Sequence, residues 1–243
     1  MKKIDLTSFP PITLAEMDEV KLMKRMDTKF VIHVGLIPLL LRRIRNDYRV
    51  LEINGNRLMT YDSVYFDTDD LKFYFQHHNK IAKRTKVRIR NYIESNIAFL
   101  EIKQKDSKQN TVKKRIPFQV NASELNQDGK SFIEKVTGQQ LELNESISNS
   151  FNRFTLVAKQ EEERVTVDTN LAYNNKPFND HMAIIELKQK RLNRNSVVFM
   201  ALKHLGVHPY SISKYCIGMA TTNPDLKQNF FKHKILTIHK KTA

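Results

Sequence analysis

Two consecutive segments within residues 86–105 alternate charged and apolar residues with a period of two, and this pattern restricts the fold more than any other feature of the chain. Side chains of a β-strand point to opposite faces in turn. Lys86, Arg88, Arg90 and Tyr92 therefore share one face and Val87 and Ile89 the other, while Phe99, Glu101, Lys103 and Lys105 lie opposite Leu100 and Ile102. One strand of this kind is an ordinary solvated strand of an antiparallel sheet. Its recurrence along the chain is what narrows the choice.

The same split recurs at residues 24–33, where Arg25, Asp27, Lys29 and Val31 oppose Met26, Thr28, Phe30 and Ile32. Residues 58–70 form a further candidate strand. At 111–117 Lys113 and Arg115 share a face, and at 164–168 Arg164, Thr166 and Asp168 oppose Val165 and Val167. At 184–190 Ile184, Glu186, Lys188 and Lys190 oppose Ile185 and Leu187. The strand from Phe151 is mixed, with Phe151, Arg153, Thr155 and Val157 on one side. Residues 99–105 and 184–190 are near copies of each other, which hints at two related halves of one sheet.

Between the strands, helical spacing is read at 14–22, 35–47, 71–78, 122–138 (interrupted at Gly129) and 196–205, the last with Ser196 as a possible cap and Gly206 as its stop. Asn54-Gly55 marks a turn, residues 145–150 fit no element clearly, and the basic tail from Phe230 is expected to fray. The division that results is a lead-in and helix at 1–22, one domain at 23–219 and a tail at 220–243.

Charge and cysteine content bound the class. Lys and Arg number 41 against 26 acids, a formal net charge of +15, which calls for a polyanionic partner. The single cysteine, Cys216, excludes an internal disulfide framework and a cysteine-rich zinc site. No apolar run spans a membrane and the N-terminus has no signal-peptide core, so a cytoplasmic protein without an integral membrane segment is expected. His77-His78 reads as a solvated pair and Cys216 as buried. Nucleic acid is not expected as a partner, because single-strand platforms need exposed aromatics, whereas Phe30, Phe66 and Phe154 fall on apolar sides and tryptophan is absent.

Strands of this kind leave two arrangements. Charged faces pointing outward give a basic-surfaced sandwich, and charged faces pointing inward give a tunnel whose apolar outer side is covered by helices. An inward arrangement gathers Arg25, Lys29, Arg88, Arg90, Lys103, Lys113, Arg115, Arg153, Arg164 and Lys188 against Asp27, Glu101, Asp168 and Glu186. Unpaired buried charge is costly, so such a tunnel must take up phosphates. Glu186, two residues from Lys188 on one face, could hold a hard divalent cation that bridges phosphate oxygens.

The combination Arg25-Met26-Asp27-Thr28-Lys29-Phe30, Tyr65-Phe66-Asp67-Thr68, Arg88-Ile89-Arg90, Phe99-Leu100-Glu101-Ile102-Lys103, Thr111-Val112-Lys113-Lys114-Arg115, Phe151-Asn152-Arg153, Arg164 through Asp168-Thr169, Ile185-Glu186-Leu187-Lys188 and Ser213-Lys214-Tyr215 resembles the VTC domain. That is the polyphosphate polymerase domain of the vacuolar transporter chaperone complex, within the triphosphate tunnel metalloenzyme (CYTH-like) superfamily. The resemblance runs over residues 23–219. It implies an α+β fold: a closed antiparallel β-barrel tunnel with a charged lumen and flanking helices.

It also implies a polymerase that moves the γ-phosphate of ATP onto inorganic polyphosphate with Mn²⁺ or Mg²⁺. Arg88, Arg90, Lys103, Arg153 and Arg164 are then expected as catalytic residues. Lys29, Lys113, Arg115, Lys188 and Lys214 are expected to bind substrate, and Glu186 to bind metal. Phe151 stands where the family usually has tyrosine. Arg25 and Asp27 stand where hydrolytic members carry two glutamates, which tilts the expectation from triphosphatase to polymerase. A triphosphatase of the same fold and a non-catalytic polyphosphate or inositol-phosphate binder are the alternatives.

Overall fold

Each alternating segment forms a strand, because burying one apolar face per strand lets successive strands share one covered side. In the computed structural model residues 4–19, 26–108 and 110–243 are described, and Arg25 lies outside them. The elements in chain order are β1 (Pro11–Ile12), α1 (Leu14–Glu19), β2 (Met26–His33), α2 (Ile37–Ile44), β3 (Tyr48–Leu51), β4 (Met59–Asp67), α3 (Lys72–His78), β5 (Arg84–Tyr92), β6 (Ile97–Lys105) and β7 (Thr111–Phe118). They continue with α4 (Gln127–Thr137), β8 (Asn144–Ala158), β9 (Glu163–Tyr173), β10 (Lys176–Pro177), β11 (Met182–Gln189), α5 (Val197–His204), α6 (Lys214–Thr222) and α7 (Asn229–Lys241). None of the described helices is long and apolar enough to cross a membrane.

The main sheet runs β2-β11-β9-β8-β4-β5-β6-β7, every neighbouring pair antiparallel. Register keeps the two faces apart across the whole order. Lys29, Glu186, Thr166 and Thr155 are successive cross-strand partners, as are Ser63, Arg90 and Phe99, and Tyr65, Arg88, Glu101 and Arg115. The opposite face carries Phe30, Ile32, Phe154, Leu156, Val165, Val167, Ile185 and Leu187, packed under α2 and α5. Val87, Ile89, Leu100 and Ile102 pack there against Ile133 of α4. Each such side chain, fully buried, stabilises the sheet by about 1.5–3 kcal/mol.

The helices obey the same logic. In α2 the buried residues are Ile37, Leu40, Leu41 and Ile44, one stripe at helical spacing, with Pro38 in the first turn, where a missing N–H costs nothing. Gly129, expected to interrupt its helix, lies inside the first turn of α4, where the Asn126 side chain caps its N–H. A Cβ there would come within 3.0 Å of Phe118 and 3.3 Å of Leu100, so glycine permits the close approach to the sheet. Residues 145–150 are the first half of the 15-residue strand β8.

Two expectations are corrected. Among the described residues the barrel is not closed by hydrogen bonds: β2 and β7 end the strand order and do not pair with each other. The free edge of β2 is taken instead by the segment before α6, through a Phe30–Pro209 bridge and a Tyr210 N–H donated to Lys29 C=O at 2.6 Å. The sheet still curls: Lys29 of β2 and Lys86 of β5, with four strands between them in the order, both reach the segment before α6, at Ile212 C=O (3.3 Å) and Ser213 Oγ (2.9 Å). Nor does the tail fray. It forms α7, whose Phe231 and Ile238 are buried.

Those two apolar anchors fasten α7 to α6, and α6 lies across the inner face. Tyr215 through Ala220 are all buried in α6, against Tyr65, Ile147, Phe151, Tyr173 and Ile184 of the strands. The inner face is therefore divided into an apolar part covered by α6 and a cationic part that begins at the helix's first residue, Lys214.

Candidate phosphate-binding site

The cationic part is built on two buried carboxylates, each clamped by two cations. Glu101, 2% exposed, accepts Nε and Nη2 of Arg88 at 2.9 and 2.6 Å and also the Lys113 ammonium. Burial alone would raise its pKa, but Arg88, Arg90 and Lys113 outweigh burial and hold it well below the usual carboxylate range. Asp168, 4% exposed, is held low in the same way: Arg153 gives it two donors, Nη2 at 2.8 Å, and Lys214 gives a third. Charge-assisted pairs of this kind fix the arginine planes.

Arg90 has a different support. Its Nε donates to Ser63 Oγ at 3.1 Å, and its guanidinium lies 5.5 Å from the ring centres of Tyr61 and Phe151, which stack at 5.3 Å. Arg153 stands 5.1 and 5.2 Å from the same two rings, and the Lys214 ammonium 3.7 Å from that of Phe151. The phenylalanine thus supplies an aromatic platform for three cations, work that needs no hydroxyl.

A third carboxylate, Glu186, receives Lys188 at 3.0 Å and Lys29 at 3.8 Å, while Lys188 also donates to Thr166 Oγ1 at 3.3 Å. Burial opposes its ionisation, yet Lys188, Lys29 and Arg153 hold its pKa well down. Lys103 faces this group from β6. It makes no hydrogen bond to a described residue, and desolvation, with Lys29 adding repulsion, brings its ammonium down to about 8. Desolvation lowers Lys214, which is mostly buried, and the partly exposed Lys113 to about 8, against the opposing pull of Asp168 and Glu101 respectively.

The structure thus brings together Lys29, Arg88, Arg90, Lys103, Lys113, Arg153, Glu186, Lys188 and Lys214. Two expected residues lie at the margin of this group, Arg164 cross-strand from Lys188 and Arg115 cross-strand from Glu101. Arg164 donates Nη2 to Met17 C=O at 3.0 Å, at the end covered by α1, and Arg115 lies exposed over the Phe99 ring at 4.3 Å. Residues not singled out from the sequence join the site: Lys86, held by Ser213, and Tyr65, whose hydroxyl accepts Arg88 Nη1 at 3.0 Å. Lys86 had the right parity. Tyr65 belongs to the motif Tyr65-Phe66-Asp67-Thr68, but a tyrosine in isolation carries no charge at neutral pH, so nothing gave it a role among the cations until its register opposite Arg88 was known.

Among the described residues no three histidine, cysteine, aspartate or glutamate side chains gather into a metal cage. A hard divalent ion held mainly by phosphate oxygens would need only one protein carboxylate, and Glu186 could serve only by giving up its pairs with Lys188 and Lys29. His77 and His78 are not a solvated pair. His78 is buried, and His77 Nδ1 lies 3.0 Å from the buried Sγ of Cys216. Burial and nearby cations push the His77 pKa down to about 3, so the imidazole is neutral.

A protein from Hippeastrum, described as an adenylyl cyclase candidate with a dominant triphosphatase activity, superposes with a TM-score of 0.54 at 12% identity, over 82% of this chain and 96% of that one. A Bacillus halodurans protein described as an adenylate cyclase candidate gives 0.50 at 13% identity, over 79% and 96%. At such identities the likeness is one of fold, the CYTH-like triphosphate tunnel fold. No protein with a curated description matches the sequence. The model of the VTC domain matches residues 24–223, most of the chain and every strand of the cationic face, and the chain belongs to the VTC domain family.

Proposed function

We propose that the protein is a polyphosphate polymerase, which transfers the γ-phosphate of ATP to a growing inorganic polyphosphate chain along the cationic face, with Mn²⁺ or Mg²⁺. The observation that carries this reading is an imbalance of charge. Glu101, Asp168 and Glu186 are already paired with two cations each, while Arg90, Lys86 and Lys103 face the same space with no hydrogen bond or ion pair to a carboxylate among the described residues. A phosphate chain supplies the missing negative charge. The catalytic unit is assigned to residues 23–219, with 1–22 and 220–243 flanking it.

Phosphoryl transfer asks for positioning and charge neutralisation more than for acid–base work. Arg88, Arg90 and Arg153 present planar donors to phosphate oxygens, and Lys29, Lys103, Lys113, Lys188 and Lys214 act as point charges along the chain. The attacking oxygen of the polyphosphate end is already anionic, so it needs no general base, and ADP leaves. Glu186 would hold the divalent cation, which when bound neutralises charge on the phosphate oxygens. With Glu101 and Asp168 each committed to two cations and Glu186 paired with Lys188 and Lys29 until it takes the metal, few acids remain to activate water, which favours transfer to phosphate over hydrolysis.

The test is a product assay with ATP, a trace of pyrophosphate and Mn²⁺ or Mg²⁺, separating ADP, orthophosphate and polymer on a gel. Polymer formed in step with ADP is expected. Orthophosphate alone would assign the triphosphatase activity described for the Hippeastrum protein, and binding without turnover would assign a sensor of polyphosphate or inositol phosphate.

A further inference from the structure

Tyr65 is a buried phenol set among cations. It lies opposite Arg88 in the β4–β5 register, is 4% exposed, and stacks on Tyr215 of α6 with ring centres 5.1 Å apart. Its oxygen accepts Arg88 Nη1 at 3.0 Å, and among the described residues it has no acceptor for its own proton. A phenol oxygen that only accepts, inside a cationic wall, is electrostatically close to a phenolate.

The groups that face it are unequal in charge. From β5 come Arg88, Arg90 and Lys86. From β6 comes Glu101, already shared between Arg88 and Lys113 of β7. From β9 comes Tyr173, whose hydroxyl is buried without a partner, and β8 contributes the apolar Ile147. From α6 come Tyr215, which gives its hydroxyl proton to Asp67 of β4, and the buried thiol of Cys216. Burial opposes ionisation of Tyr65, but the three β5 cations outweigh it and bring the phenol down to about 7.

We propose that Tyr65 exchanges a proton when the inner face takes up a phosphate chain: a phenolate paired with Arg88 before binding becomes a phenol that donates to a phosphate oxygen afterwards. The inference rests on the reading of this face as a phosphate site and adds a residue and a coupling to it. Solvent supplies the proton, no bond to phosphorus forms or breaks, and Arg88 exchanges a phenolate partner for a phosphate one. Arriving negative charge disfavours the phenolate, so binding and protonation reinforce each other. Tyr65 is in this sense a positioning residue for Arg88 and a hydrogen-bond donor to the ligand.

The experiment is calorimetric titration of the full chain with sodium tripolyphosphate slightly above neutral pH, in two buffers of different ionisation heat, for the wild type and Tyr65→Phe. The substitution keeps the ring that stacks on Tyr215. The wild type is expected to take up more protons than the variant, by an amount approaching about one per site. In parallel, the phenolate absorbance band of the wild type is expected to fall on addition of tripolyphosphate. Equal proton uptake by the two proteins overturns the proposal. If Tyr65→Phe does not fold, the wild-type spectrum decides alone, and a phenolate band that does not change overturns it. No binding of tripolyphosphate by the wild type overturns the phosphate reading and the coupling together, an outcome distinct from binding with equal proton uptake.

Discussion

Lys214, the first residue of α6, is ion-paired with Asp168 of β9, and this contact ties the helix that fills the apolar half of the inner face to the cationic half. Asp168 also holds Arg153, so one carboxylate orders two elements. Removing it leaves two buried cations uncompensated.

Asp168→Asn is therefore expected to lower stability by about 3 kcal/mol, read as a shift in the denaturant midpoint. Linkage gives the pH direction. The folded-state pKa of Asp168 lies below the unfolded value of 3.8, so its contribution is present above that value and lost as pH falls through the folded pKa. Acid unfolding of Asp168→Asn should consequently be shallower than that of the wild type.

Arg90 and Arg164 separate the site from its margin. Arg90→Ala should weaken tripolyphosphate binding by about 10- to 100-fold, the worth of a hydrogen bond to a charged group, and abolish turnover. Arg164→Ala, whose guanidinium is tied to Met17 C=O, should change affinity several-fold less. Equal losses in calorimetric Kd would place Arg164 inside the site.

The lysines set a pH dependence of opposite sign for binding and stability. Lys103, Lys113 and Lys214 titrate at about 8 in the folded chain, and a bound polyanion raises those values. Affinity for tripolyphosphate should fall as pH rises through about 8. In the same window the unfolded chain, with lysines at 10.5, binds more protons than the folded one, so folding stability gains from these groups as pH rises from about 8 toward 10.5. Kd and denaturant midpoints measured at the same pH values test both signs.

Glu186→Gln removes the carboxylate assigned to the metal and frees Lys29 and Lys188. Metal-free tripolyphosphate should bind as tightly as to the wild type or more tightly, while the stimulation of turnover by Mn²⁺ or Mg²⁺ is lost. Weaker metal-free binding would mean that the carboxylate chiefly orients the two lysines.

Gly218 sits in α6 where a Cβ would meet the Tyr173 ring at 2.5 Å and Ile147 at 2.8 Å. Gly218→Ala gains helix propensity but overpacks the interface, and should cost about 1–3 kcal/mol. A protein of unchanged melting temperature would show that α6 can shift on the sheet.

The sequence by itself determined which side chains share a face. Period-two alternation is a local property, and Lys29, Arg88, Arg90, Lys103, Arg153, Glu186 and Lys188 all lie on the side that parity assigned them. The family motifs were equally legible, because they are strings of neighbours. Parity does not say which distant strands are adjacent or what each charge meets. The near copies at 99–105 and 184–190 show the limit: each glutamate is paired with two cations, Glu101 with Arg88 and Lys113 and Glu186 with Lys29 and Lys188, and parity names neither set.

Only the tertiary structure decided those partners. It also decided the open pairing between β2 and β7, the docking of α7 and the place of Tyr65 among cations. The physical reason is that strand order, curvature and burial depend on packing between segments far apart in the chain. A residue such as Tyr65, polar but uncharged in isolation, acquires its chemistry only from the neighbours that packing supplies.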